Sequence, residues 1–303
     1  MSIESNVISA PAVTRQPIGV PASGGLLLGA LGILGFSFSL PATKLAVETL
    51  DPWFVAFGRA VIAGMLATIV LAAAHAARPS RAQVRSLLIV ALGVVVGFPL
   101  FTSLALQTRP AGQSAVVIAV LPAMTAVMAV LRAGERPSRA FWLASTAGLV
   151  AALAFAFTRG ATGPQLPDLF LLLAVALCAL GYAEGGMLAR NLGGGRTICW
   201  ALVLSLPVTV PVAAVTLPLD GGVGLVPWLG FGYVSLISMF LGFFAWYAGL
   251  ARGGVARVGQ IQLAQPLLSL IWAALVLSEA VGPADALVAA AVLACVVATQ
   301  RAR

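Results

Sequence analysis

Apolar residues dominate this chain in long stretches of about 20, the length that crosses a hydrocarbon core roughly 30 Å thick. Ten such stretches fall at about 24–47, 53–75, 84–107, 111–131, 138–158, 167–189, 197–217, 226–250, 255–278 and 283–300. Polar positions gather in the short breaks between them. Those breaks leave no room for a soluble catalytic domain, so whatever the chain does takes place in or at the bilayer. Residues 1–23 are polar, rich in Ser, Pro and Val, and lack a continuous apolar core. They are read as a disordered cytoplasmic tail and not as a cleaved signal peptide.

A second pattern lies on top of the first. Leu121-Pro122 through Gly134-Glu135 returns, in weaker form, as Gln265-Pro266 through Ser278-Glu279, with proline and glutamate 13 residues apart in each copy and the copies offset by 144. This predicts a duplication: residues 24–158 carry spans one to five and residues 167–300 carry spans six to ten. Five is an odd number, so the second copy must be inverted relative to the first. Inverted repeats are typical of secondary transporters, whose substrate sites lie between the halves near mid-membrane.

Charge tests the count. With the N-terminus inside, even-numbered crossings place Arg15, Arg78, Arg81, Arg85, Arg132, Arg136, Arg139, Arg190, Arg196, Arg252, Arg257, Arg301 and Arg303 on the inner side. Only Lys44, Arg109 and Arg159 fall outside, and Arg59 lies within span two. Glu48, Asp51, Asp168, Asp220, Glu279 and Asp285 also fall outside. That asymmetry matches the positive-inside rule and puts both termini in the cytoplasm.

Composition then narrows the classes. The chain is 61% hydrophobic and 9% charged, with mean hydropathy +1.06. In water this composition would leave large apolar patches exposed. The 17 basic residues against 9 acidic ones are scattered singly between apolar runs. They suit anchors at lipid headgroups and not a nucleic-acid surface. Cys178, Cys199 and Cys295 have no CxxC or Cys/His spacing and read as buried free thiols. His75, the lone histidine, sits at a predicted helix end; one histidine does not make a metal centre. No GxxxxGK[ST] loop is present, and Gly193-Gly194-Gly195 reads as a flexible loop between Arg190 and Arg196.

Several groups could carry chemistry inside the membrane. In span one, Ser37, Pro41, Lys44 and Glu48 share a helix face, where proline exposes a carbonyl that lipid cannot satisfy. Lys44 could line the same pocket or snorkel to the interface. In span nine, Gln262, Gln265, Pro266 and Ser269 form a stripe, with Gln260 roughly opposite. Their amides are either interhelical glue or contacts for a polar solute. The matching positions of span four, Ile118, Leu121, Pro122 and Thr125, are largely apolar, which predicts a lopsided pocket. Phe240, Phe243, Phe244 and Tyr247 of span eight fall at helical spacing beside Trp246, while span three offers Phe98, Pro99, Phe101 and Thr102, and span six Tyr182. These aromatics either pack the bundle or face the substrate. Glu184, an intramembrane carboxylate, could bind an ammonium, carry a proton or pair with Arg190. Arg59 could pair with Glu48 or Asp51, or meet substrate.

The run Ser39-Leu-Pro-Ala-Thr-Lys-Leu-Ala46, Arg59 in span two, and the two copies ending Gly-Glu and Ser-Glu together resemble the drug/metabolite transporter superfamily. The resemblance is to its ten-helix, EamA-type exporters and covers residues 24 to about 300. Within that superfamily the chain is similar to bacterial amino-acid exporters, including the aromatic amino-acid type. The resemblance implies a basket-like bundle around a cavity lined by spans one, three, four, six, eight and nine, and alternating access without ATP.

The expectation is therefore an all-α membrane protein of ten transmembrane helices, arranged as two inverted five-helix repeats around a central cavity. It is a non-enzymatic secondary transporter of the bacterial inner membrane, needing no cofactor, metal, nucleic acid or oligomeric partner, and exporting amino acids or related small metabolites. Exporters of nucleosides, sugars or cationic drugs remain an alternative, and a passive channel a further one. The expected substrate-binding residues are Ser37, Pro41, Phe98, Phe101, Pro122, Tyr182, Glu184, Phe243, Trp246, Tyr247, Gln262, Gln265, Pro266 and Ser269. Lys44, Arg59 and Glu184 are candidates for coupling or pairing.

Overall fold

In a computed structural model of the protein, the described residues are 22–109, 111–158, 166–219, 222–277, 291, 294, 295, 297, 298 and 301. The described residues contain helix and no strand. The elements are α1 (Ala22–Ser37), α2 (Ser39–Val47), α3 (Pro52–Ala73), α4 (Arg81–Thr108), α5 (Ala111–Ile118), α6 (Leu121–Leu131), α7 (Arg139–Thr158), α8 (Leu166–Leu192), α9 (Gly194–Val215), α10 (Leu225–Gly253), α11 (Val255–Gly259) and α12 (Gln265–Leu277). Among the described residues, six stretches are long and apolar enough to cross a bilayer: α1 with α2, then α3, α4, α8, α9 and α10. Spans four and nine are each assembled from two shorter helices, α5 with α6 and α11 with α12. The expected tenth span at 283–300, Arg159, Asp220, Ser278, Glu279, Asp285 and residues 1–21 of the tail lie outside the described residues or mostly so.

Many large apolar side chains are exposed while several polar groups are buried within an apolar core, the arrangement expected of a protein solvated by lipid. Ile69, Leu143 and Leu229 are exposed, whereas Arg59, Glu184, Gln260 and Gln262 are buried. This is an all-α membrane protein.

Proline sets where the spans break. A proline cannot donate to the carbonyl four residues back, and its ring crowds that carbonyl. Four residues before Pro41 is Ser37, where α1 ends; four before Pro122 is Ile118, where α5 ends. Four before Pro266 is Gln262, inside a 3-10 segment (Gln260–Ala264), where the Gln265 N–H takes over the freed Gln262 carbonyl. Because of the first break, Ser37, Pro41, Lys44 and Glu48 do not form the single face expected of a continuous helix. Ser37 and Pro41 are buried, Lys44 is half-buried and Glu48 is exposed.

The irregular stretches also repeat. Spans three and eight each contain a π-helical stretch, Ala91–Gly97 and Val234–Leu241. α5 starts at Ala111 and α11 at Val255, and Pro122 and Pro266 each occupy the second position of a helix. All these pairs lie 143 or 144 residues apart, the offset of the sequence repeat. Pro99 accounts for the irregularity in span three; nothing comparable explains the one in span eight.

Among the described residues, the two halves pack closely against each other. α3 lies on α9, α1 on the C-terminal part of α10, α2 on its N-terminal part, and α4 and α6 on α8. Small residues allow this closeness, as they do in membrane helix pairs generally. A Cβ at Gly249 would come 2.7 Å from the Gly29 backbone nitrogen, and one at Gly93 would come 2.5 Å from the Leu177 carbonyl.

The Gly193-Gly194-Gly195 run is not the flexible loop its composition suggests. Gly193 alone, at φ 84°, makes the turn. Gly194 and Gly195 already belong to α9, packed so tightly on Ala248 and Phe244 that neither has space for a side chain.

Candidate functional site

Two joined cavities lie where the broken helices meet. The larger is lined by Phe36, Ser39, Leu40 and Thr43 around the span-one break, Arg59 of α3, Val94, Phe98 and Thr102 of α4, Leu121 of α6, Cys178 and Tyr182 of α8, Ser238 and Phe243 of α10, and Gln265 of α12. The smaller is lined by Leu40, Ala115, Ile118, Leu121, Pro122, Gln262, Gln265 and Ser269. Leu40, Leu121 and Gln265 belong to both, and the last two are counterparts in the repeat. So are Ile118 and Gln262, and Val94 and Ser238. In all three pairs the first copy is apolar and the second polar, so the wall is as lopsided as the sequence suggests.

The space open to the centre of a water-sized sphere is about 30 Å³ in the larger cavity and about 10 Å³ in the smaller. That holds one or two waters and no metabolite. The walls must separate before anything larger enters.

The span-one break is held by the second half. The Ser269 hydroxyl donates to the Ser37 carbonyl that Pro41 leaves free, at 2.7 Å, and the Trp272 indole N–H donates to the Ser37 hydroxyl at 2.8 Å. Ser37 is thus a structural junction and does not line either cavity. Gln260 is likewise committed: it accepts from Ser145 at 3.0 Å and donates to the Pro122 carbonyl at 3.2 Å. Gln262 is buried with neither side-chain atom hydrogen-bonded.

The remaining expected positions fall in different places. Phe98, Pro122, Tyr182, Phe243, Gln262, Gln265 and Ser269 line the cavities. Trp246 and Tyr247 sit behind them. Trp246 packs its ring on Phe36 and Tyr182, and the Tyr247 hydroxyl donates to the Gly181 carbonyl at 3.1 Å. Phe101 turns away and packs on Phe170, and the Pro266 side chain lies outside the described features. Phe244, one residue after Phe243, packs on Gly195 at the bundle edge.

The charges differ most from expectation. Glu184 pairs with Arg132 of the first half and not with Arg190, and it does not line the cavities. Arg190 instead pairs with Glu135. Arg59 pairs with neither Glu48 nor Asp51. Asp51 caps α3, accepting from the Trp53 and Phe54 N–H groups, and Arg59 faces the larger cavity. Lys44 donates to the Leu106 carbonyl at 3.0 Å. Ser39, Thr43, Cys178 and Ser238 also face the cavity, unflagged by sequence reading. Ser238 was legible only through its repeat relation to Val94.

The first copy of the Pro-to-Glu motif acquires a structural role here. Gly134, at φ 64°, reverses the chain after α6, and the Glu135 carboxylate then accepts from the N–H groups of Val255 at 2.7 Å and Ala256 at 2.8 Å. A carboxylate at a helix start suits both the unpaired donors and the helix dipole.

The EamA-like transporter family model matches residues 23–157 and again residues 165–299. The chain belongs to the EamA-like transporter family. It is also 46% identical over 278 residues to "Uncharacterized transporter YdeK" of Bacillus subtilis (strain 168), covering 91% of this chain and 97% of that protein. A solved structure described only as "Crystal structure of protein" superposes with a TM-score of 0.73 at 19% identity, over 91% of this chain and 98% of that one. The first two matches establish a multi-pass membrane transporter with a small-molecule substrate; the third establishes the fold. Two family matches in tandem agree with the repeated breaks, and a transporter fold accounts for polar groups buried at mid-bundle.

Proposed function

We propose that this EamA-like transporter exports amino acids or related small metabolites across the bacterial inner membrane, with both termini in the cytoplasm, by alternating access without ATP. One observation carries the reading: a polar and aromatic cavity at the junction of both halves, bounded by helices that proline breaks at that depth. Neutral amides of Gln262 and Gln265 and the hydroxyls of Ser39 and Thr43 offer hydrogen bonds to a polar group. Phe36, Phe98, Tyr182 and Phe243 offer an apolar surface to a side chain. Ion pairs between the halves near both ends of α8, Arg109–Asp168 and Glu135–Arg190, are suited to gate closure in turn.

Purified protein in liposomes, offered the labelled standard amino acids with and without a proton gradient, tests this. Saturable flux and counterflow for at least one of them are expected. No flux for any of the set sinks the reading. The unpaired Gln262 amide also suits a hydroxylated neutral solute, so nucleosides and sugars belong in the competition panel. Their outcompeting every amino acid would favour that second class.

A further inference from the structure

Arg59 is 3% exposed and faces the larger cavity. Its Nη2 donates to the Ser238 hydroxyl at 3.1 Å, and its Nε has no partner. Among the described residues no carboxylate lies within ion-pair distance of it. Three carboxylates of the bundle are committed elsewhere: Glu184 to Arg132, Asp168 to Arg109, and Glu135 to Arg190 and the start of α11. The cavity wall therefore holds one full positive charge and no negative one.

Its other polar groups point the same way. Ser39 and Ser238 share one hydrogen bond of 2.8 Å. The Ser238 oxygen also accepts from Arg59, so one hydroxyl hydrogen of the serine pair has no acceptor. A buried guanidinium with free donors is costly unless an anion completes it. Its planar fork matches a carboxylate, which it binds through two parallel charge-assisted bonds. A single guanidinium balances a monoanion and leaves a phosphate dianion half compensated. An isolated organic cation would be repelled.

We infer that Arg59, with the Ser39–Ser238 pair, is the carboxylate anchor of the substrate site. The substrate class is then small monocarboxylates with an apolar or aromatic remainder, which would rest against Phe98, Tyr182 and Phe243. Nothing described in the cavity requires an α-ammonium group. Acids lacking the amine therefore compete as well as amino acids do, and amines lacking the acid do not. This rests on the transporter reading above but does not need the physiological substrate to be an amino acid.

The test uses wild-type protein and two ligand series: L-phenylalanine, 3-phenylpropionate and 2-phenylethylamine; then L-leucine, 4-methylpentanoate and isopentylamine. Thermal shift in detergent reads binding, and counterflow in liposomes reads transport. Both acids of at least one series should stabilise and compete within a few-fold of each other, and the amine should do neither. Arg59→Gln should weaken the acids by roughly tenfold or more, the loss typical of a hydrogen bond to a charged group. If Arg59→Gln fails to fold, the wild-type comparison alone decides. Amino acids transported and inhibited by the amine but not by the acid overturn the anchor and leave the exporter reading intact. Acids bound while no amino acid moves uphold the anchor and overturn the amino-acid reading. No response to any of the six overturns the anchor.

Discussion

Replacing Glu135 with glutamine tests the tie between the halves at a single pair of amides. The carboxylate places one oxygen on the Val255 N–H and the other on the Ala256 N–H, and takes the Arg190 guanidinium at 3.2 Å. Val255 and Ala256 open a five-residue helix, so these N–H groups have no partner within it. Glutamine keeps one acceptor oxygen and loses the charge. One of the two amides is then orphaned, and the other exchanges a charged acceptor for a neutral one. With hydrogen bonds to charged groups worth about 1.5–3 kcal/mol and neutral ones about 0.5–1.5, the local loss is about 2–3 kcal/mol. The carboxylate is 20% exposed, which trims this only slightly. Hydrogen exchange by mass spectrometry over 254–259 reads that loss as exchange roughly 30- to 150-fold faster. Exchange in α3 should not change. Arg190→Ala should accelerate exchange by only a few-fold, because the arginine is 43% exposed and its ion pair is screened. Unchanged exchange at Val255 and Ala256 in a folded Glu135→Gln protein would refute the capping role.

Four other substitutions separate structure from transport. Gln260→Leu strands Ser145 and the Pro122 carbonyl and should lower thermal stability by about 2 kcal/mol, seen as a fall of several degrees in Tm. Gln262→Leu should leave Tm unchanged or higher, because its amide has no partner to lose, yet reduce liposome flux; equal flux would return Gln262 to packing. Pro41→Ala restores a donor to the Ser37 carbonyl in competition with Ser269 and should slow flux while preserving Tm. Gly93→Ala puts a Cβ against the Leu177 carbonyl and should cost about 1–3 kcal/mol of stability, read in the same melting assay.

What the sequence made legible was local chemistry. Apolar length marked the spans, and proline marked their breaks, because each effect acts within a few residues. The second-copy stripe Gln262-Gln265-Ser269 was visible as polar groups where lipid would not tolerate them. What was not legible depends on which helices meet. Glu184 finds Arg132 across 52 residues of chain, whereas Arg190, six residues away, was the nearer guess in sequence. Arg59 stays open in the sequence between a carboxylate partner and the substrate, because which groups face a buried cation depends on which helices surround it. The aromatic stripe of span eight assumed a regular 3.6-residue turn. The i,i+4 ring pairs Phe240–Phe244 and Phe243–Tyr247 keep that turn, but they form two rows on different sides of the helix: Phe243 reaches the cavity and Phe244 packs on Gly195.

α8 gathers the ion pairs of both membrane faces onto one rod. Asp168, near its start, holds Arg109; Arg190, near its end, holds Glu135; and Glu184, about two turns short of that end, holds Arg132. All three partners belong to the first half. At 27 residues the rod is about 40 Å long. A tilt of about 10° around its middle would swing each tip by ~3.5 Å in opposite directions. That displacement parts a salt bridge at one tip while pressing the other together. The helix is thus a seesaw beam, and its stiffness converts separation on one side into closure on the other. A flexible joint in mid-beam would uncouple the two sides even with every ion pair and every cavity residue in place.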